Sequence, residues 1–559
     1  MSILKLVEDR PTPKSVYNWR IYLLAAIASL TSCMIGYDSA FIGTTITLPS
    51  FKSEFHFDSM SSDEQSLVSA NIVSCYQAGA FFGALFAYGI STFWGRKIGL
   101  LVASLVFTLG AGLMLGANGE RGLGLIYAGR VLAGLGVGAG SNFTPIYIAE
   151  LSPPAIRGRL IGVYELGWQI GGLVGFWINY GVQTTMPASQ KQWLIPFAIQ
   201  LIPSGLLLIG TLFIRESPRW LMIQGRREEG QRNLAWIRQL PLDHIYMIEE
   251  INAIDQAIEE QRISVGIGFT KPIKAAFTSK KWSYRLFLGS MLFVWQNGSG
   301  INAINYYSPT VFKSLGLQGT NASLLTTGLF GCVKTAVTFI WLLYLIDHVG
   351  RRNLLLYGAA GGSICMWIIG AYIKVAEPTK NPSDHLTGGG VAAIFFFYLW
   401  TAFYTPSWNG TPWIISRLTK RGVEIKEMFD QNMRSFAQAC AAASNWLWNF
   451  LISRFTPQMF ASMGYGVYFF FASLMVLSIF FVFFLIPETK GIPLESMDML
   501  FETKPTWRAH GIVLQRIKEN EIEFRETVKG TAIEEKASAP VHMEYSTEGA
   551  QERAPENTV

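Results

Sequence analysis

Apolar runs of about twenty residues recur along nearly the whole chain, each bounded by charged or proline-bearing segments. At 1.5 Å per helical residue, a run of that length matches the roughly 30 Å hydrocarbon slab of a bilayer. The runs predict membrane helices at 20–46, 67–92, 98–117, 123–148, 161–182, 193–214, 284–310, 322–346, 353–374, 391–416, 433–456 and 464–486. Twelve spans result, and a polar stretch at 215–283, rich in Arg and Glu, parts them six and six. Helical patterning within that stretch runs from Glu249 to Arg262. The expected architecture is an all-α membrane protein: an N-terminal segment 1–19, a six-helix half 20–214, a central loop with short helices 215–283, a second half 284–486, and a largely disordered tail 487–559 where apolar periodicity ends.

Composition sharpens this picture. Half of the 559 residues are hydrophobic and only 15 % are charged, against about a quarter in soluble domains. The net charge of +6 sits in loops flanking the apolar runs rather than along one face, so it reads as membrane topology and no nucleic-acid partner is expected. Loops with Arg96 and Lys97, Arg157 and Arg159, and Arg351 and Arg352 alternate with neutral or acidic loops such as 54–64. Both termini and the central loop are therefore expected on the cytoplasmic side. The first twenty residues are polar and contain Pro11 and Pro13, so the first span is expected to insert the chain without a cleavable signal.

Several motifs can be set aside. Cys33, Cys75, Cys332, Cys365 and Cys440 lie within or beside apolar runs, which points to small buried hydrophobes and to neither a disulfide frame nor a zinc site. Gly134, Gly136, Gly138 and Gly140 imitate a dinucleotide loop, but no strand precedes them and close helix packing explains them. Sequons at Asn142, Asn297 and Asn409 fall inside spans, and that at Asn321 at a span edge. With no Walker loop, zinc-protease helix or nucleophile elbow, neither ATP-driven nor enzymatic chemistry is expected, and no cofactor or metal.

Ionisable groups inside a span are costly and point to function. Asp38 lies about eight residues from the outer end of the first span and Arg130 about seven from that of the fourth, so both sit roughly 10 Å below the surface and can pair. Lys334 lies about twelve residues from either end of the eighth span, near 18 Å deep, beyond the reach of snorkelling. Its ammonium needs an internal partner, either a cargo carboxylate or an acid or carbonyl of the protein.

The halves echo each other. Gly95-Arg96-Lys97 follows the second span and Gly350-Arg351-Arg352 the eighth; Glu216-Ser217-Pro218-Arg219 closes the sixth and Pro487-Glu488-Thr489-Lys490 the twelfth. Secondary transporters are built from repeats whose sites meet near the midplane. Gly36-Tyr37-Asp38, Gly129-Arg130, PIYIAELSPPAIR at 145–157, ESPRWL at 216–221, GINA at 300–303, Pro412-Trp413, Asn445-Trp446 and PETKG at 487–491 occur in order. Together they resemble the sugar porter family of the major facilitator superfamily over nearly the whole chain to about residue 500. The stretch EDRPTPKSVYNWRIYLLAA is similar in particular to the fungal quinate permease branch.

The resemblance implies the major facilitator fold and alternating access. Its matching Asp and Arg make Asp38 the protonation site and Arg130 its partner; on the residues alone they are equally a locking ion pair. It places Gln169, Gln296, Asn297, Asn302 and Asn445 at positions that bind hydroxyls, a task for which amides offer donors and acceptors together. Trp413 is expected as an apolar floor, Tyr306 and Tyr307 as an outer gate, and Arg157, Glu216, Arg219, Arg351, Arg352, Glu427 and Arg434 as gating charges at the cytoplasmic face. Lys334 stands where hexose carriers tend to have Asn, which favours an acidic polyol such as quinate. Gly298, Gly300, Pro406 and Pro412 are expected to break helices seven and ten beside the site. Three departures stand out: Thr92 to Trp94 lacks the usual Asp, Arg215 replaces a Pro, and RLTKRGVEIK at 417–426 intervenes before Glu427. The expected activity is proton-coupled import of an anionic cyclic polyol by a plasma-membrane monomer. Hexose or uronic acid symport, and a non-transporting nutrient sensor, are the alternatives.

Overall fold

The computed structural model describes residues 11–264, 266, 268–317, 319–345, 349–378, 387–413, 434–490, 492 and 497–519. Among them, twelve spans form two bundles of six. The first comprises α1 (Trp19–Thr45), α2 (Ser62–Phe93), α3 (Arg96–Leu115), α4 (Gly124–Leu151), α5 (Pro154–Thr185) and α6, bent at Gln200 between Gln190–Ile199 and Leu201–Phe213. The second comprises α7, in two pieces (Lys280–Gly298 and Ile301–Ser314), α8 (Thr320–Ile340, continued by a π turn, Trp341–Leu345), α9 (Arg351–Ala376), α10 (Gly388–Tyr404, continued by a π turn, Thr405–Asn409), α11 (Arg434–Met463) and α12 (Gly466–Leu485). Nine of these are long and apolar enough to cross a membrane on composition alone; α5, α7 and α11 are not. Those three carry the cavity polar groups Glu165 and Gln169, Gln296 and Asn302, and Asn445 and Asn449, alongside basic residues such as Arg157 and Arg159, Lys280, Lys281 and Arg285, and Arg454, and α7 is further divided into two pieces.

The glycines of α4 do what close packing requires. A Cβ at Gly134 would fall 2.0 Å from the carbonyl oxygen of Tyr76, and one at Gly138 equally close to that of Ala80, so α4 lies backbone to backbone on α2. All five cysteines are free; Cys365 is buried, but Cys332 is exposed on the outer surface of α8 and is no core residue.

The end of the bundle bearing the Arg96 and Arg351 loops, called here the basic end, shows why the halves share a motif. The Glu216 carboxylate accepts from the backbone N–H of Arg96 (3.0 Å) and Lys97 (3.1 Å) at the start of α3. Glu488 accepts from the N–H groups of Arg351 and Arg352 (both 3.1 Å) at the start of α9. Each carboxylate thus meets orphan donors and the positive pole of a helix. A Cβ at Gly95 would stand 2.4 Å from Glu216 Oε2, and one at Gly350 2.6 Å from Glu488 Oε2, so glycine is what lets the anion seat. Burial pushes the Glu216 carboxyl upward from the usual range, and these N–H donors pull the other way.

The short helices expected in the central stretch are four among the described residues: Pro218–Ile223, Arg227–Arg238, Ile245–Ser264 and Thr270–Thr278. Arg238 is buried on Glu250 (2.6 Å) and also donates to the carbonyl of Leu151 at the end of α4 (2.7 Å). Arg215, the residue in place of Pro, stacks over Trp236 at 4.6 Å, and Arg20 lies over the same ring at 4.5 Å. That sandwich ties the N-terminus of α1 to the central helices.

The expectation of a largely disordered tail needs correction for its first part. Helices occupy Met497–Glu502 and 506–519. Ile492, Leu500, Ala509 and Val513 form a small core there, and Trp507 stacks on Phe483 at 6.0 Å. These apolar positions are too few to show periodicity, and they gain a core only by packing on one another, with Trp507 docked on the end of α12. Residues 520–559 lie outside the described set.

Candidate functional site

Asp38 and Arg130 form an ion pair, both fully buried. Arg130 also donates from Nε to the Ile72 carbonyl (3.0 Å), and its guanidinium lies 4.5 Å over the Tyr76 ring. Asp38 Oδ2 has no hydrogen-bond partner among the described residues. A buried pair in this setting is held by the full set of contacts, and removing one member leaves an uncompensated charge. The Tyr76 ring meets Trp446 edge-on at 6.0 Å, which carries the contact from the first half to α11 beside Asn445.

At mid-depth between the halves lies a cavity of about 40 Å³ lined by Glu165, Trp168, Gln296, Ile301, Asn302, Asn305, Lys334, Tyr404, Asn409, Trp413, Asn445 and Asn449. An adjoining smaller cavity is walled by Gln169 and Ser39, and again by Lys334 and Asn305. Of the seven residues expected to bind substrate, six therefore line one of these two spaces. Asn297 does not. It is fully buried, donates to Asn445 Oδ1 (3.1 Å) and accepts from Asn302, so it stands behind the wall and orients the two amides that form it.

The helix breaks supply the backbone around the cavity. Gly298 ends the first piece of α7, and Gly300, at φ +87°, starts the second, a left-handed turn that a side chain would strain. In α10 the π turn at Thr405–Asn409 contains Pro406 and leaves the carbonyls of Trp408 and Asn409 to accept from Gln296 Nε2 (2.8 and 2.9 Å). Gln296 is thus anchored at its amino group. The Trp413 ring packs on Phe293 at 4.4 Å.

Lys334 faces the cavity, with 6 % of its surface exposed. What the sequence reading missed is Glu165, on α5, which lines the same cavity as Lys334 and accepts from Asn409 Nδ2 (2.9 Å). A protein carboxylate is therefore available to the lysine, alongside any cargo. The signal was present: Glu165 is an acid inside an otherwise apolar span, four residues before Gln169 and so on the same face. Asn305, Asn409 and Asn449 were missed as well.

The halves touch on both sides of the cavity. At the end remote from the basic one, α1 lies so near the second piece of α7 that a Cβ at Gly43 would sit 1.8 Å from the Tyr306 carbonyl oxygen. The Tyr306 hydroxyl is within 3.0 Å of the Gln77 amide on α2, whereas Tyr307 donates to the Ser453 carbonyl on α11 (2.8 Å) within the second half. At the basic end a Cβ at Gly162 on α5 would meet Leu342 of α8 at 3.0 Å, and Tyr88 on α2 meets Phe436 on α11 at 5.3 Å.

Among the expected gating charges, Glu216 serves helix α3 within its own half, as described above. Arg157 donates to the Ser152 carbonyl (3.3 Å) at the turn between α4 and α5. The Arg96 guanidinium meets Glu150 (2.7 Å), an acid the sequence reading did not single out. Arg352 donates to the Phe483 carbonyl on α12 (3.0 Å), Arg351 is buried at the start of α9, and Arg219 lies in the first central helix. None of these contacts crosses between the halves. Glu427 and the stretch 417–426 lie outside the described residues, as does the side chain of Arg434.

Two six-helix bundles meeting around a polar cavity at mid-membrane, with breaks in the helices that line it, define a secondary transporter. The comparisons with known proteins agree, and the chain belongs to the sugar transporter family: the profile described as "Sugar (and other) transporter" matches residues 24–501. It is similar to a protein of Aspergillus niger named "Probable quinate permease", 78 % identical over 525 residues, covering 94 % of this chain and 96 % of the relative. A protein of the same name from Aspergillus terreus is 74 % identical over 530 residues, with 95 % and 96 % covered. Among solved structures, the proton:xylose symporter XylE bound to 6-bromo-6-deoxy-D-glucose superposes with a TM-score of 0.70 at 26 % identity, covering 86 % of this chain and 99 % of the other. A partially occluded inward-open XylE from E. coli gives 0.69 at 25 % identity, with 85 % and 100 % covered. The chain is thus a multi-pass membrane transporter of a small molecule and not an enzyme.

The contact at Gly43 makes a direct prediction. Gly43→Trp is expected to hold α1 away from α7 and lower uptake at least tenfold. A single cysteine at Ser39, in a background lacking the native five, would then react with a membrane-impermeant thiol reagent added at the end remote from the basic one. Unchanged uptake, or no gain in reactivity, would show that this contact does not open and close.

Proposed function

We propose that this protein imports an anionic cyclic polyol, quinate in the first place, together with a proton, across the plasma membrane. The observation that carries the reading is Lys334, a cationic side chain at mid-membrane on the wall of a cavity whose other lining is amides and aromatic rings together with Ile301 and one carboxylate, Glu165. A hydroxyl-bearing ring carrying a carboxylate fits that chemistry: amides meet hydroxyls in both senses, the indoles of Trp168 and Trp413 offer apolar faces, and the ammonium meets the acid. The names of the relatives in Aspergillus support the same substrate.

Proton coupling is assigned to Asp38 and Arg130. The pair is buried away from the polyol cavity yet touches Tyr76, which leans on Trp446 next to Asn445. Protonation of Asp38 would free Arg130 from its counter-ion and loosen the first half's grip on α11. A monoanion moving with one proton carries no net charge, so the drive is the pH difference, about 1.4 kcal/mol per unit. The basic end is the cytoplasmic face, with both termini there, because Arg96, Lys97, Arg351 and Arg352 cluster at it. The working unit is a monomer with a single site between its halves.

The test is uptake by purified protein in liposomes of labelled quinate, glucose and galacturonate, under an imposed pH gradient at zero membrane potential. The proposal expects quinate accumulation and little glucose uptake. Preference for glucose overturns the acid assignment, and preference for galacturonate moves the substrate to the uronic acids. No solute movement at all leaves a sensor. A quinate-dependent current under voltage clamp would contradict the one-to-one stoichiometry.

A further inference from the structure

Lys334 and Glu165 reach the same cavity from opposite halves of the molecule, Lys334 on α8 and Glu165 on α5. Glu165 is also bonded across the halves to Asn409 at the π turn of α10 (2.9 Å), with Gln169 one turn on along α5 at 3.5 Å. We infer that Glu165 is the resident counter-ion of Lys334, neutralising it in the unloaded carrier and yielding it to the cargo's carboxylate on binding. This rests on the proposed role of Lys334, and it adds a residue that governs both acid selectivity and the return of the empty carrier.

The argument is one of charge balance in a small space. To complete a cycle the unloaded carrier must pass through a form in which the halves close around the cavity. A lone ammonium enclosed at mid-membrane is costly, and a carboxylate beside it removes most of that cost. The cavity of about 40 Å³ gives little room for water to do the same task. With Glu165 in the same cavity the inference makes the unloaded site neutral: Glu165 would balance Lys334, as Asp38 balances Arg130. An arriving carboxylate competes for the ammonium, and Glu165 keeps its bond to Asn409. A neutral polyol has no charge with which to compete, so the same pair discriminates against plain sugars. That is specificity by a competitor built into the site.

The test separates exchange from net transport. In liposomes, counterflow of labelled against unlabelled quinate needs only the loaded carrier to reorient, whereas net uptake also needs the empty one to return. Glu165→Gln is expected to lower net quinate uptake at least tenfold relative to counterflow, and to strengthen quinate binding severalfold in a thermal-shift titration of detergent-purified protein. An equal fall in both fluxes, or weaker binding, overturns the inference and leaves Glu165 a structural residue. Should the single variant not survive purification, Glu165→Gln/Lys334→Gln removes both charges together and is expected to melt at least as high as the wild type. A double variant less stable than Lys334→Gln alone overturns the pairing. If wild-type protein fails to exchange quinate while exchanging another solute, the substrate assignment fails, and that outcome is read before either variant is made.

Discussion

Asp38→Asn is expected to abolish accumulation of quinate while leaving exchange in place. With one proton per cargo and a monoanionic cargo, a pH difference of two units supports a gradient of about a hundredfold, since each unit is about 1.4 kcal/mol and so a factor of ten. The amide of Asn occupies the volume of the carboxyl but takes up no proton, so the wild-type ratio of about a hundred should fall to about one. The variant also strips Arg130 of its counter-ion in a fully buried position. Arg130 keeps the Ile72 carbonyl and the face of Tyr76, contacts that let the fold persist at reduced stability. The measurement is the steady-state internal-to-external ratio at zero potential, with counterflow as the control for folded protein. Undiminished accumulation would remove Asp38 from the coupling reaction and reduce the pair to a lock between α1 and α4.

Lys334→Asn should cost quinate about 10- to 100-fold in apparent affinity, as expected for losing a charge-assisted contact of about 1.5–3 kcal/mol. Glu165 would then remain in the cavity as an unbalanced anion and repel the acid, which places the loss toward the upper end. Glucose uptake should rise relative to quinate, because Asn offers a hydroxyl partner where the ammonium stood. The readout is the ratio of kcat/KM for the two solutes in liposomes. A quinate KM within twofold of wild type would detach the lysine from the cargo and leave it a partner of Glu165 alone.

These two experiments act on residues of different legibility. Asp38, Arg130 and Lys334 stood out in the linear chain because a charge in a twenty-residue apolar run is conspicuous, and its depth follows from counting residues at a fixed rise. The twelve spans were legible for the same reason: in a bilayer the backbone must satisfy itself, so length and hydropathy nearly dictate helices. The breaks near Gly300 and Pro406 could also be placed, since glycine and proline act on their own backbone.

What lies behind or beside a residue is another matter. Asn297 has the chemistry of a ligand, yet it bonds Asn302 and Asn445 and does not reach the cavity. One of these partners, Asn445, comes from a helix 148 residues away, and no local pattern reports that. Glu216 reads as a lone loop charge until it is seen seated on the N–H groups of α3. Trp507 and Leu500 read as scattered apolar positions in a polar tail until Trp507 stacks on α12 and Leu500 packs with Ile492, Ala509 and Val513. Glu165 is the most consequential case, for its meaning depends on Lys334 arriving from the other half. Hydropathy and local backbone preference act along the chain and need no partner, so they specified the spans, their breaks and the charges within them. The pairing of those charges across two bundles arises only when the bundles pack, and there the folded molecule chose which groups face the cavity and which stand behind it.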